Sequence, residues 1–303
     1  MSVENFQPRI WASAIDVPYQ EGLVYAQESV ASTQFAEPLL QGGKSIKIQH
    51  IGTANIRDHN RNEDLVYDNA DLTETELVMD QEKYFGFRVS DVDKAQAAGD
   101  FQSPLTAEHA YRLSAAADTY VGAAIKKNAK HKLDAATVFD GSDYMIPAAG
   151  QRTAWDILRA ISTELNKHAA PSLNRWAVVG PNFAGALLAD RRFTDAAAAG
   201  TDKILRSGMI GAVPTLGLTV MTSNSVPTTK TAETVAAGAP GAVAYASQIY
   251  EIEALRDPNR FGDLVRGLLV FGAQVVRPDG LVTVDVDVKP GSSAGGSSAV
   301  AAA

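Results

Sequence analysis

Three parts of the sequence carry residue types able to do chemistry, and each lacks something that chemistry requires. Gly43-Lys44-Ser45 resembles the end of a phosphate-binding loop, where backbone amides and a lysine would hold phosphate oxygens. That motif needs glycine at position 38, where Pro38 stands, and a following helix, where alternation predicts a strand. Asp58-His59-Asn60-Arg61-Asn62 resembles the start of a calcium loop, but the turn glycine is replaced by Glu63 and the closing glutamate by Asn69. His50, His59, His109, His131 and His168 lack the spacing that sets two imidazoles on one helical face around zinc, so each is expected to be a surface or satisfied core residue. Without cysteine there is no disulfide, thiolate metal site or thiol nucleophile. No G-x-S-x-G elbow occurs, and Gly208 and Gly211 are too sparse for a dinucleotide loop. The expectation is a chain with no catalytic residue, cofactor or metal.

The elements are more informative than these motifs. Between residues 44 and 93, two stretches of period-2 alternation flank an acidic, Asn-rich tip. Ile46, Ile48, Ala54 and Ile56 share one parity against Lys47, Gln49, Thr53, Asn55 and Arg57. In the second stretch Leu77, Met79, Phe85, Phe87 and Val89 share a parity, with Glu76, Asp80, Glu82, Tyr84 and Arg88 largely opposite. Arms of roughly 14 residues would reach on the order of 45 Å, enough for a ribbon to project from its own domain. Between Thr53 and Asp93 eleven acids face four bases, a difference of −7 out of the chain's formal −8. Such a ribbon repels nucleic acid and is suited to basic groups on a neighbour.

A two-stranded ribbon needs cover for its apolar face and open edges, which other copies of the chain would supply. The expected contacts between subunits are Ile46, Ile48, Leu77, Met79, Phe85 and Phe87 on the apolar side and Glu74, Glu76 and Glu82 on the charged side. For Phe85 and Phe87 the competing expectation is packing inside their own subunit near the ribbon root. The N-terminal segment, punctuated by Pro8, Pro18 and Pro38, carries Phe6, Trp11, Tyr19 and Tyr25. It suits either docking on another subunit, with Trp11 as a contact, or capping its own domain.

Ser103-Pro104 opens a helix of six or seven turns through Leu105, Leu113, Val121 and Ile125, with Lys126, Lys127 and Lys130 at its basic end. A second helix is predicted from Thr153, with Asp156 as the capping-box acid. A strand follows at Trp176–Val179 and a short helix at Phe183–Ala189, and then Gly208, Gly211, Pro214 and Gly217 mark turns around Val220 and Met221. Ser223–Gly241 is expected to be a loop, and Leu264–Val276 and Leu281–Val288 to be strands closing onto the long helix. Residues 291–303 form a Gly/Ser/Ala tail with no core-forming capacity. With 303 residues, 46% of them hydrophobic, the chain can bury a real core. No run approaches the ~18 apolar residues of a membrane span, and Met1–Ile15 lacks a signal pattern.

Two segments carry a family resemblance. Met79-Asp-Gln-Glu-Lys-Tyr-Phe-Gly-Phe-Arg-Val-Ser-Asp-Val-Asp-Lys-Ala-Gln, followed by the long helix, resembles the end of the E-loop and entry to the spine helix in major capsid proteins of tailed double-stranded-DNA bacteriophages. Arg260-Phe-Gly-Asp-Leu-Val-Arg-Gly-Leu-Leu-Val-Phe-Gly-Ala-Gln-Val-Val-Arg-Pro is similar to the family's final peripheral-domain strands. The order of elements matches the α+β Hong Kong 97-type capsid fold over essentially the whole chain. The resemblance implies an N-terminal arm (1–40), an extended β-ribbon or E-loop (41–95), a peripheral domain with the spine helix (96–149 and 251–290), an axial α/β domain (150–250) and the tail (291–303). It implies a ribbon lying over an adjacent subunit, and a shell of hexamers and pentamers in the virion, assembled in the host cytoplasm. The implied partners are the chain itself, a portal protein and scaffolding or decoration proteins; packaged DNA meets it through weak, non-specific contact, and no membrane is involved. A net charge of −8 suits a shell that must not trap its genome by phosphate contacts.

Some family members cross-link a ribbon lysine to a neighbour's asparagine, but no motif aligns Lys83 and Asn259 as such a pair, and none is assigned. The alternatives are an encapsulin-like compartment shell of the same fold and, in a different class, a monomeric α/β enzyme. A portal vertex and DNA would separate the first from a phage head, and elution at monomer size would identify the second.

Overall fold

The structure is a computed structural model and describes residues 20, 22–35, 43–51, 56–58, 64, 72–91, 102–140, 152–190, 212–213 and 216–290. In chain order its first elements are β1 (Ala31–Ser32), β2 (Ser45–Ile51), β3 (Leu72–Val78), β4 (Gln81–Ser90), α1 (Gln102–Asn128) and β5 (His131–Asp140). Then come α2 (Ala154–Lys167), β6 (Arg175–Val179), α3 (Pro181–Ala189), β7 (Ala212–Val213), β8 (Leu218–Thr222) and β9 (Thr228–Thr229). The chain ends through β10 (Ala232–Gly238), β11 (Val243–Arg256), β12 (Gly262–Val275) and β13 (Leu281–Pro290).

Local sequence explains the helices. Thr153 caps α2 by accepting from the Asp156 amide, and the Asp156 carboxylate accepts from the Thr153 amide in return, so the expected capping box is present. Ile157, Leu158, Ile161 and Leu165 then fall on one buried face. The long helix α1 ends in Lys126 and Lys127, where cations complement the helix dipole. It begins two residues before Pro104, so the proline occupies its first turn.

Two main sheets sandwich α1. The larger has the order β5-β13-β10-β6-β8-β7, with β9 on β10, and the smaller has the order β1-β11-β12-β4. On one side of the larger sheet, Ala177, Val179, Val235, Ala237, Val282, Val284 and Val286 pack under α2 and α3. On the other, Trp176, Val178, Ala236 and Leu281 meet Ala117, Val121 and Ile125 of α1, and beyond them Leu269, Phe271 and Val275 of the smaller sheet. Gly238 makes this fit possible, since a Cβ there would stand 2.6 Å from both Leu281 and the Trp176 ring.

Two sequence expectations are corrected and a third is met. The Ser223–Gly241 loop contains β10, a central strand buried along nearly its whole length; with both faces covered its Ala-rich sequence has no polar alternation to betray it. The second ribbon arm is two strands, because β3 pairs with β2 while β4 leaves at Met79-Asp80 and pairs with β12. The late strands do close onto α1 as expected, and they do so from opposite sides: β12 lies in the smaller sheet and β13 in the larger, between β5 and β10. The turns at Gly208 and Gly211 and the tail 291–303 lie outside the described residues.

Candidate assembly surface

The ribbon is built from β2 and β3, paired antiparallel from Ser45↔Val78 to Ile51↔Leu72. Lys47, Gln49, Glu74 and Glu76 form its exposed face, and the Lys47 ammonium reaches across to Glu74 at 3.0 Å. The hydrogen bond and charge of Glu74 hold the Lys47 ammonium above its ordinary range. The opposite face is apolar and is covered by the chain's own smaller sheet. Ile48, Leu77 and Met79 are buried against Ala244, Ala246 and Val276, with Ile46 and Val270 at the margin. The crossing is tight: a Cβ on Gly272 would run into the Val78 carbonyl, so glycine is needed where the ribbon passes over β12. The apolar residues expected to meet a neighbour therefore find their cover at the ribbon root within the subunit.

Phe85 and Phe87 also turn inward. Both lie on the face of β4 that meets α1, where their rings stack on His109 with centroids 5.6 and 4.9 Å away. Phe85 is buried above Gly267, the residue opposite it on β12. Their shared parity reflects the core of this sheet, and they do not share a face of the ribbon. Lys83 and Glu82 likewise sit on β4, both exposed.

Two polar contacts fix the surroundings of the ribbon root. The Tyr120 hydroxyl of α1 donates to Asp80 at 2.9 Å, at the junction of β3 and β4. Deeper in, the fully buried Asp118 accepts from the amides of Val24 (3.0 Å) and Ala26 (2.9 Å). This places Tyr25 under α1 and leads the chain into β1, parallel to β11. Burial holds the Asp118 carboxyl above its ordinary range, partly offset by the amides it accepts from. Val24–Ser32 thus caps its own domain, while Trp11 lies outside the described residues.

Beyond the ribbon root, the smaller sheet turns its other face to solvent. Tyr84, opposite Leu268, is 81% exposed, and Leu255 stands exposed opposite Leu264. Phe261, in the turn between β11 and β12, is 84% exposed. Arg266 pairs with Glu253 on the same face at 2.6 Å. Apolar side chains left in water beside ordered charges are the character of a contact surface. Tyr84, Leu255 and Phe261 were not among the residues expected from sequence, although Tyr84 alternates with Phe85 and so pointed away from the core.

Ribbon, long helix and two sheets together define a mixed α+β fold of the kind found in phage capsid structures. A family model described as phage capsid protein matches residues 74–284. The chain belongs to that family. A structure from Mycobacterium phage Che8 is similar with a TM-score of 0.75 and 28% identity, over 93% of this chain and 98% of that one. The capsid structure of the Cyanophage P-SCSP1u gives 0.74 at 15% identity, over 95% of each chain. The asymmetric unit of the bacteriophage PhiM1 mature capsid gives 0.67 at 15% identity, over 93% of this chain and 92% of that one. At such identities the last two speak for the fold alone. No curated protein matches the chain in sequence. Among the described residues, no helix is long and apolar enough to cross a membrane.

Proposed function

We propose that this chain is the major capsid protein of a tailed phage, a structural protein that assembles with copies of itself into the icosahedral head around the genome. The carrying observation is the phage capsid family match across residues 74–284, on a fold whose exposed ribbon edge and exposed sheet face both ask for neighbours. In the Hong Kong 97-type arrangement, α1 serves as the spine helix and the smaller sheet as the body of the peripheral domain. The larger sheet with α2 and α3 serves as the axial domain at the centre of hexamers and pentamers. On this assignment β5 and β13 go with the axial sheet and β11 with the peripheral one, because hydrogen bonding joins them there. The ribbon beyond Ile51 and Leu72 extends over an adjacent subunit, and Glu74 and Glu76 on the exposed face of β3, with Glu82 on β4, face basic groups of a neighbour. The exposed face bearing Tyr84 and Leu255, with Phe261 at its end, receives a neighbour. Trp11 contributes from the N-terminal arm.

The further partners are a portal protein, scaffolding or decoration proteins and, weakly, the packaged DNA; assembly takes place in the host cytoplasm and the product is the virion. Expressing the full chain and separating it by size tests the reading. Particles of many subunits, seen as closed shells by electron microscopy, are expected. A species eluting near the 32.1 kDa of one chain under all assembly conditions would refute it.

A further inference from the structure

Far along the chain from the ribbon, three side chains of two different elements meet beside the end of α2. Glu164 and His168 are four residues apart and so lie on one side of the helix, and His131 opens β5. Each offers one ligand atom, and the three atoms all lie within 4.8 Å of one another; among the described residues no other set of three histidines or carboxylates does this. His168 Nε2 is 3.3 Å from Glu164 Oε1, and the two imidazoles stack with centroids 3.6 Å apart. His131 Nε2 is buried without a hydrogen-bond partner, with Asp279 Oδ1 3.7 Å away. Neighbouring cations are already engaged: Lys167 holds Glu164 Oε2 at 2.8 Å and Lys130 holds Asp279 at 2.5 Å.

We propose that His131, Glu164 and His168 bind a divalent transition metal of the zinc class. Two imidazole nitrogens and one carboxylate oxygen are a borderline-soft set that suits zinc and its neighbours, whereas magnesium and calcium take oxygen ligands. Lys167 engages Oε2, so that Oε1, which now faces His168, is the oxygen for monodentate ligation, and Asp279 supplies further negative charge beside His131. A shared metal must lie near the plane of both rings, and rings stacked within 15° of parallel have no such common point. One ring therefore turns on binding. That ring is His168, exposed at the helix end, while His131 stays in place. The orphaned Nε2 of His131 gains a partner. The metal then clips the end of α2 to β5, which among the described residues is an edge strand of the larger sheet, with a neighbour strand on one side only.

The test uses the full chain, stripped with a chelator and dialysed against micromolar zinc chloride. Elemental analysis should find a single zinc per chain. Zinc at about a hundredfold excess over its dissociation constant should raise the melting temperature by about 5 °C, and magnesium should leave it unchanged. His168→Ala, which trims an exposed side chain, should abolish both effects with an unaltered circular dichroism spectrum, and Glu164→Gln should weaken binding at least tenfold. Zinc retained at full stoichiometry by His168→Ala, or no zinc bound by the unmodified chain, would overturn the proposal and leave a stacked histidine pair only.

Discussion

The Tyr120 hydroxyl donates to Asp80 at 2.9 Å, tying the long helix to the residue pair at which the chain stops being ribbon and becomes sheet. The Tyr120 ring meets Phe271 edge-on at 5.6 Å, so the same side chain grips β12 and the ribbon root. Burial, reinforced by the Asp80 carboxylate, pushes the phenol up to about 12, which keeps it a donor at any physiological pH.

Tyr120→Phe retains the ring contact and deletes the donor. It should lower the stability of the subunit by about 1 kcal/mol in a urea titration. The raised folded value means that the phenol's contribution is complete below its ordinary range near 10 and is lost only as pH rises through about 12. The difference between the two proteins should therefore hold constant from acid to mildly alkaline pH. A gap that closed near neutrality would contradict the assignment.

Tyr84 and Phe85 are chain neighbours on opposite faces of β4, and they should fail in opposite ways. Phe85→Ala opens a hole between β4, Gly267 and His109, costing about 3 kcal/mol and yielding unstable or insoluble protein. Tyr84→Ala removes a side chain that is 81% exposed, so subunit stability should change by no more than about 0.5 kcal/mol while assembly is impaired. Normal shells from Tyr84→Ala would remove this sheet face from the interface.

Why alternation found the core but misplaced the ribbon is visible at Met79-Asp80. Leu77, Met79, Phe85 and Phe87 keep one parity across the junction, so the pattern runs unbroken while the partner strand changes from β2 to β12. A change of partner is a tertiary event without a local signature. The Thr153–Asp156 box and the strands around Trp176 and Leu281 were legible because their signals are local. By contrast, β10 was hidden because burial on both faces erases alternation. For the candidate sites, the acidic face of the ribbon could be read from Glu74 and Glu76. The pairing of His131 with Glu164 and His168 could not, since Glu164 lies 33 positions beyond His131 and only the i, i+4 half of the set is sequential.

Asp118 offers a pH test with the opposite character to that of a surface ion pair. Its carboxyl is raised by burial, so its contribution to stability is full below the ordinary carboxylate range and is lost as pH rises through the raised folded value. Asp118→Asn keeps an oxygen for the Val24 and Ala26 amides and removes the buried charge. Relative to the unmodified protein it should gain stability between about pH 4 and pH 7, read from paired denaturant titrations. Asp118→Ala strands both amides and should cost about 2 kcal/mol at pH 4, and less at pH 7, where it also removes the buried charge.

The exposed acids of the ribbon, Glu74 and Glu76, and of β4, Glu82, predict a salt effect. Replacing Glu74, Glu76 and Glu82 together by Gln should lower the temperature at which shells come apart, and added salt should act on the unmodified shell in the same direction by screening. Each exposed pair contributes only ~0.2–1 kcal/mol, but the contact recurs with every subunit. Shells indifferent to both changes would leave apolar packing as the sole basis of ribbon docking.

A near-atomic reconstruction of shells assembled from the full chain tests the central claim most directly. The account predicts hexamers and pentamers in which the segment between Ile51 and Leu72 lies across an adjacent subunit, with Tyr84 and Phe261 covered by a neighbour. A closed shell in which that segment folds back on its own subunit and Tyr84 stays in solvent would contradict it.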